Sequence, residues 1–312
     1  MNEEKMNENV VPIFYAVDNG YLPLLGISLE SIMANMSKNR EYVIKILHTN
    51  ITEENMKKIM KYEKDNFSIE FVDLNYYIDQ VKDKLYTRDY YTNTTYFRLF
   101  IPNLYPQYSK AIYIDADTIV LGDMAELYDI DLGTNLIGGV NDGVVATIPE
   151  FQDYVERVVG MANWKNYFNA GMIVMNLDEL RKYNFQEKFL YLLGTIKFKV
   201  AQDQDYLNRL CKGRVKILEN YWNVMPINSA SVKDESKIKI IHFNLADKPW
   251  HNDNIPFEKY FWKYANKSQF LSVLKDIKQN YSEEKKFEDR EMGKNLVLLA
   301  IKETSCVGDD RK

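Results

Sequence analysis

Residues 112–120 read IYIDADTIV, and this stretch is the strongest indication of the fold and of a site in the 312-residue chain. Its first half is an apolar run typical of a buried β-strand. Asp115 and Asp117 follow at the end of that strand, and residues two apart in an extended chain point the same way. Because open α/β sheets bind ligands at the carboxyl ends of their strands, the pair predicts a site for Mg²⁺ or Mn²⁺. The alternative is a solvated aspartate pair that begins a turn.

Apolar strands and amphipathic helices alternate on both sides of this stretch. The predicted strands are 11–17, 42–47, 68–72, 111–114, 136–140, 171–175 and 238–243. Five helices are predicted. The first has an apolar face from Leu25 to Met36, the second is capped by Thr52, and the third covers 94–100. The fourth is capped by Asp178 and runs to about Leu193, and the fifth covers 203–210. This alternation predicts an α/β fold with a mostly parallel central sheet.

The composition allows a sizeable core, because 46% of the residues are apolar. We predict one catalytic domain over residues 1–265. Residues 266–312 are predicted to form a small helical extension, in which a mixed-charge stretch precedes a short apolar patch.

The charge balance argues against nucleic acid as a partner, because the net charge is −5. Cys211 and Cys306 suggest neither a disulfide framework nor a zinc site, which favours a reducing cytoplasm. The N-terminal residues lack the pattern of a signal peptide. The apolar run at 296–301 is too short to span a bilayer, so no transmembrane segment is expected.

The aspartate pair also fits a second class of enzyme, the haloacid dehalogenase-like phosphatases. In their DxDxT motif the first Asp, here Asp115, is the nucleophile and the second, Asp117, the acid/base. However, Ile119 stands where that motif has Thr, and three predicted strands precede the motif instead of none. The later acidic pair, Asp203 and Asp205, opens a predicted helix instead of ending a strand.

Further polar residues stand near predicted strand ends or inside apolar helices. Asp18 could accept a hydrogen bond from a nucleotide base and Tyr21 could stack on it, although Asp-Asn-Gly is also a common turn. Arg98 lies in an apolar helix and needs an anionic partner, either a ligand phosphate or a structural carboxylate. Asn169 precedes a strand, where it is either a ligand contact or a turn residue.

Two later segments concentrate polar groups. QDQD at 202–205 begins a helix with more polar groups than capping needs, and Asp203 and Gln204 are the candidates there. His242 ends a predicted strand and is a candidate third metal ligand, although a lone histidine is more often structural. An imidazole beside two carboxylates favours Mn²⁺ over Mg²⁺. Lys248 is a candidate phosphate contact.

Taken in order, these segments resemble glycosyltransferase family 8, a retaining family that includes bacterial lipopolysaccharide galactosyl- and glucosyltransferases and glycogenin. The resemblance runs from about Ile13 to His251. It implies a single GT-A domain, which is a Rossmann-like fold with a DxD motif. It also implies UDP-glucose or UDP-galactose as donor and Mn²⁺, or Mg²⁺, as cofactor.

The resemblance assigns roles by position to eleven residues. They are the metal ligands Asp115, Asp117 and His242; the uridine site Ala16, Asp18 and Tyr21; the donor-sugar contacts Arg98, Asn169 and Asp203; Gln204 nearest the reacting sugar face; and Lys248 at the diphosphate. Two positions depart from the family pattern, since Gly20 replaces an Asn found in some relatives and Leu245 an often-present Gly.

The implied reaction is transfer of glucose or galactose to a hydroxyl of a glycan or glycolipid, as in cell-surface polysaccharide synthesis. Because Gln204 is a poor nucleophile, front-side attack is favoured, and Asp203 is the candidate for transient covalent attachment. A cytoplasmic location is expected, and peripheral contact with the inner membrane face stays open. So do the acceptor, the oligomeric state and a non-catalytic sugar-nucleotide-binding role.

Overall fold

The computed structural model describes residues 9–80 and 93–309. The prediction that the N-terminal residues are not a signal peptide concerns residues 1–8, which lie outside the described residues. The strands are β1 Val10–Ala16, β2 Glu41–His48, β3 Phe67–Asp73, β4 Lys110–Ile114, β5 Thr118–Val120, β6 Ile137–Asn141, β7 Phe168–Asn176, β8 Val215–Ile217 and β9 Ile240–His242.

Helices connect these strands. The α-helices are α1 Leu22–Asn35, α2 Glu53–Met60, α3 Asn75–Asp79, α4 Ile101–Leu104, α5 Met124–Tyr128, α6 Gly143–Thr147, α7 Pro149–Tyr154, α8 Leu177–Lys182, α9 Phe185–Thr195, α10 Asp203–Cys211, α11 Glu258–Ala265, α12 Leu271–Gln279 and α13 Glu283–Asp309. A π-helical turn, Val155–Val159, continues α7, and 3₁₀ helices cover Asn93–Phe100, Trp164–Asn166, Asn220–Trp222, Pro226–Ser231 and Glu235–Lys237.

Seven strands form the central sheet, in the order β3-β2-β1-β4-β7-β6-β8. β7 runs antiparallel to both its neighbours, and the other neighbouring pairs are parallel. This confirms the predicted α/β fold with a mostly parallel sheet. β5 and β9 form a separate antiparallel pair in which Thr118 lies opposite His242. That register places the distant β9 beside the residues that follow β4.

The sheet separates two apolar cores, because successive strand residues face opposite sides. In β1, Ile13 and Tyr15 belong to the core that α1 and α11 cover. Phe14, between them, belongs to the core formed with the 3₁₀ segment before α4 and with α8 to α10. The two cores cover the two faces of the sheet. The carboxyl ends of the parallel strands remain uncovered and form the edge of a cleft.

Three local predictions need correction. The cap of α8 is Asn176, whose side chain accepts from the backbone N–H of Glu179, so Asp178 lies inside the first turn. The predicted helix is also interrupted at Asn184, which has φ +55°. The predicted helix 94–100 is a 3₁₀ helix, and Pro102 lies in the first turn of the new helix α4, where its missing N–H costs nothing. The predicted strand 238–243 shortens to β9 because only three of its residues pair with β5.

The chain ends in α13, a 27-residue helix. It packs against α7 and the π-helical turn, and it buries Ala300, Thr304 and Asp289. Within residues 9–80 and 93–309, every helix is too short or too polar to cross a lipid bilayer.

Candidate functional site

Asp115, Asp117 and His242 come together beyond the end of β4. One ligand atom from each lies within 4.8 Å of the others. The Nε2 atom of His242 is 3.3 Å from Oδ1 of Asp117 and 3.8 Å from Oδ2 of Asp115. Two carboxylates and an imidazole nitrogen form a donor set that suits Mn²⁺ and accepts Mg²⁺ less well. The three residues therefore fit the predicted cation.

Gly171, in β7, makes this convergence possible because it lacks a side chain. A Cβ atom there would lie 2.3 Å from Cε1 of His242 and 2.6 Å from Oδ2 of Asp115. Both distances are far below van der Waals contact, so any other residue would displace two members of the cluster. The sequence analysis did not identify this glycine, because the close approach exists only after β4, β7 and β9 have assembled.

Lys248 lies against the same cluster. Its Nζ donates to Oδ2 of Asp117 at 2.7 Å and to the carbonyl of Phe243 at 3.1 Å, and its side chain is only 4% exposed. Burial alone would raise the pKa of Asp117, but Lys248 and His242 outweigh it and hold that pKa well below its usual range. The cluster thus keeps one carboxylate ionised and one cation beside it.

Arg98 joins Asp115 to Asp203. Its guanidinium lies 3.1 Å from Oδ1 of Asp115 and 3.2 Å from Oδ2 of Asp203. It also donates to the carbonyl of Ala170 and lies 4.1 Å from the centroid of the Tyr113 ring. Burial raises the pKa of Asp203 to about 7, although Arg98 acts in the opposite direction. The structural carboxylate partner considered for Arg98 is therefore present, within a cleft that the side chain also lines.

The amide of Gln204 makes four hydrogen bonds within the protein. Its oxygen accepts from the backbone N–H of Ala170 at 2.9 Å and from the side chain of Asn169 at 3.2 Å. Its nitrogen donates to Oδ2 of Asp142 at 3.1 Å and to the hydroxyl of Tyr167 at 3.2 Å. Both N–H bonds and both oxygen lone pairs are used, which fixes the amide rigidly at the cleft wall.

Asp205 holds the Tyr167 hydroxyl to which Gln204 donates. It is fully buried and accepts from the hydroxyls of Tyr167 at 2.6 Å and Tyr154 at 2.8 Å. Because a carboxylate cannot donate, the Tyr167 hydroxyl donates to Asp205 and accepts from Gln204. Burial raises the pKa of Asp205 to about 6.

Two residues of this network, Asp142 and Tyr167, were missed by the sequence analysis. Asp142 accepts from Asn169 at 2.9 Å and caps α6 through the backbone N–H groups of Val144 and Val145. A signal for Asp142 existed, since it stands just after a predicted strand, as Asp115 does. Tyr167 offered no comparable signal among 23 tyrosines.

The candidate nucleotide site lies at the end of β1. Oδ1 of Asp18 accepts from the backbone N–H of Tyr21 at 3.0 Å, which is the turn considered for this motif. The Nζ atom of Lys248 is 5.6 Å from the centroid of the Tyr21 ring, so this turn adjoins the cation cluster. Ala16 ends β1 beside it.

All eleven residues selected from the sequence line one cleft, which is open to solvent. The lining also includes the apolar side chains of Val144, Phe151 and Leu296 of α13, which pack in one apolar core. The cleft therefore combines the charged groups of the metal cluster with apolar groups of the core beside the C-terminal helix.

Known proteins resemble this chain over most of its length. The family model described as "Glycosyl transferase family 8" matches residues 12–254. The lipopolysaccharide 1,2-glucosyltransferase of Escherichia coli K12 is 26% identical over 303 residues, which cover 86% of this chain and 83% of that protein.

Two solved structures share the fold. The galactosyltransferase LgtC, in complex with donor and acceptor sugar analogues, has a TM-score of 0.68 and 25% identity, covering 83% of this chain and 96% of that one. The bifunctional glycosyltransferase WbbM has a TM-score of 0.76 and 26% identity. The match covers 88% of this chain but 53% of WbbM, so this chain corresponds to about half of that larger protein.

The fold is that of glycosyltransferases of the GT-A type, and the relatives support a hexosyltransferase. With most of its length matched, the chain belongs to glycosyl transferase family 8. The phosphatase alternative has no support. The aspartate pair follows the fourth strand along the chain, and Asp203 and Asp205 lie in α10.

Proposed function

We propose that this enzyme transfers glucose or galactose from a UDP-sugar to a hydroxyl group of a glycan or glycolipid, with retention of anomeric configuration. The observation that carries the proposal is the convergence of Asp115, Asp117, His242 and Lys248 in one cleft. The sugar-transferring activities in the names of its relatives support the substrate class.

Asp115, Asp117 and His242 would hold Mn²⁺ or Mg²⁺. When bound, the ion supplies positive charge against the diphosphate of the donor. Lys248 already lies beside Asp117, so its ammonium group can shift from that carboxylate to the leaving phosphate. Lys248 would thus add a second positive charge beside the residues that would hold the ion.

The rest of the donor extends along the cleft. Ala16, Asp18 and Tyr21 would bind uridine, and Arg98, Asn169 and Asp203 would bind the hexose. Arg98, 3.2 Å from Oδ2 of Asp203, partly offsets the burial that raises the pKa of this carboxyl. The side-chain oxygen of Asn169 accepts from the backbone N–H of Gly171 and from the side chain of Asn223, so this residue is rigidly held.

Front-side substitution suits this arrangement. The bond from the anomeric carbon to the phosphate oxygen breaks, and the acceptor oxygen bonds to that carbon on the same face. The acceptor proton passes to the leaving phosphate oxygen, and UDP departs. The four hydrogen bonds of Gln204 favour a role in shaping the sugar site over nucleophilic attack. Asp203, whose charge Arg98 compensates, is the carboxylate to test for a covalent adduct.

The cellular setting follows from the same reasoning. We propose a cytoplasmic enzyme of cell-surface polysaccharide synthesis, with its catalytic domain over residues 1–265 and a helical extension over 266–312. A lipid-linked acceptor would bring it to the inner membrane face.

Calorimetry with UDP, with and without Mn²⁺, followed by hydrolysis of individual UDP-sugars, tests the proposal. We expect UDP binding that requires the metal, and slow hydrolysis of UDP-glucose or UDP-galactose. Absence of UDP binding at millimolar concentration with Mn²⁺ present would refute the donor assignment. A glycosyl adduct trapped on Asp203 would replace the front-side mechanism with double displacement.

A further inference from the structure

The loop of residues 244–254, which we call the lysine loop, carries Lys248 between β9 and α11. Its backbone is strained on both sides of Lys248. Leu245 has φ +52° and Asn254 has φ +60°, and just beyond the loop Phe257 has φ +68°. The left-handed region is unfavourable for side chains such as Leu and Phe, and such strain persists only where surrounding contacts hold it.

Two residues of the C-terminal segment, outside the matched family region of residues 12–254, also hold the lysine loop. Lys278, near the end of α12, donates to the carbonyl of Pro249 at 3.0 Å and to that of Asn252 at 3.2 Å. The same ammonium lies 2.8 Å from Oδ1 of Asp253. One ammonium group therefore binds two backbone carbonyls and one side-chain carboxylate of the lysine loop through charge-assisted bonds.

Tyr281 holds a second point of the loop. Its ring stacks on His251, with centroids 3.7 Å apart and an interplanar angle of 8°. The Tyr281 hydroxyl donates to Oδ2 of the buried Asp289 in α13 at 2.7 Å, which fixes the ring. The backbone N–H of His251 donates to the carbonyl of Lys248 at 3.0 Å, so a displacement of His251 would be transmitted to Lys248.

We propose that Lys278 and Tyr281 are positioning residues that keep Lys248 against the metal cluster by holding the lysine loop from outside. The proposal rests on the diphosphate role proposed for Lys248. It gives the segment after residue 265 a part in donor binding. Neither residue lines the cleft among the described residues, so neither is expected to contact a substrate.

Hydrogen–deuterium exchange of the ligand-free protein tests whether Lys278 and Tyr281 hold the lysine loop in place. Three amides of the lysine loop, those of Lys248, His251 and Asn252, are hydrogen-bonded within it. In the Lys278→Met/Tyr281→Leu variant we expect these amides to exchange about tenfold faster. Lys278→Arg should retain slow exchange, because its guanidinium can still donate to the carbonyls. Unchanged exchange in the double variant would overturn the proposal, whether or not the enzyme uses UDP.

Calorimetry with UDP and Mn²⁺ tests whether holding the lysine loop contributes to donor binding through Lys248. We expect the double variant to raise the Kd of UDP about tenfold, and Lys278→Arg to restore the affinity. In a Lys248→Ala background the same two substitutions should change that Kd by less than twofold, because the group they position is gone. Equal losses in both backgrounds would mean a general structural effect and would refute positioning.

Glu303→Gln is the matched control. It removes the 2.8 Å ion pair with Lys199 at the other end of α13, far along the helix from Asp289. We expect wild-type exchange of the lysine loop and wild-type UDP affinity in this variant. Faster exchange of the loop there would show that any loosening of α13 suffices, contrary to a specific role for Lys278 and Tyr281.

Discussion

Asp117→Asn is the sharpest test of the cation site, because the carboxylate of Asp117 touches two members of the cluster. Its Oδ2 lies 2.7 Å from Lys248 and its Oδ1 lies 3.3 Å from His242. The amide keeps the shape but loses the negative charge that would bind a cation. Losing one preorganised electrostatic contact costs on the order of 3 kcal/mol in the transition state, or roughly 100-fold in turnover.

The same substitution should also affect stability, since it leaves the buried ammonium of Lys248 without its anion. The amide oxygen can still accept a hydrogen bond, so we expect a loss of about 1–3 kcal/mol in the free energy of unfolding. Lys248→Met in the Asp117→Asn background removes the uncompensated charge and should recover most of that stability. Turnover should stay low in the double variant, which separates catalytic loss from unfolding.

The assay is hydrolysis of a UDP-sugar at several Mn²⁺ concentrations, with urea unfolding measured on the same preparations. Asp117→Asn should bind Mn²⁺ at least tenfold more weakly, and saturating metal should not restore turnover. Turnover near that of the wild type at saturating Mn²⁺ would refute the role of Asp117. Recovery of turnover in the Asp117→Asn/Lys248→Met variant would show instead that the first substitution acted through folding.

Two further predictions follow from the packing of the site. Gly171→Ala should weaken Mn²⁺ binding at least tenfold by calorimetry, because its Cβ would displace His242 and Asp115; Gly194→Ala, whose Cβ meets nothing within 4 Å, is the control. Equal Mn²⁺ affinity in both variants would contradict this geometry. Burial raises the pKa of Asp205 from 3.8 in the unfolded chain to about 6 in the folded protein. The protonated carboxyl therefore stabilises the fold fully below the unfolded pKa, and this contribution is lost as the pH rises through the folded pKa. The free energy of unfolding of Asp205→Asn, relative to that of the wild type, should therefore rise by about 2 kcal/mol between about pH 4 and pH 6, and a difference that stays constant with pH would refute this.

The sequence by itself determined the α/β class, the mostly parallel sheet and the family. These depend on patterns that repeat within a few residues, such as the apolar run before Asp115 or the capping of α2 by Thr52. It also selected eleven residues that line one cleft. Those that follow β1 and β4 meet there because the carboxyl ends of neighbouring parallel strands lie at one edge of a sheet. The roles of those residues and the domain boundary at 265 stay predictions.

Only the tertiary structure decided how these residues touch. Lys248 and Asp117 are separated by 131 positions, and no pattern in either segment specifies their contact. The pairing of β5 with β9, the vacant Cβ position of Gly171 and the bonds of Asp142 and Tyr167 to Gln204 all depend on distant strands. Local sequence sets which elements form, whereas the packing of elements far apart in the chain sets the distances on which binding and chemistry depend.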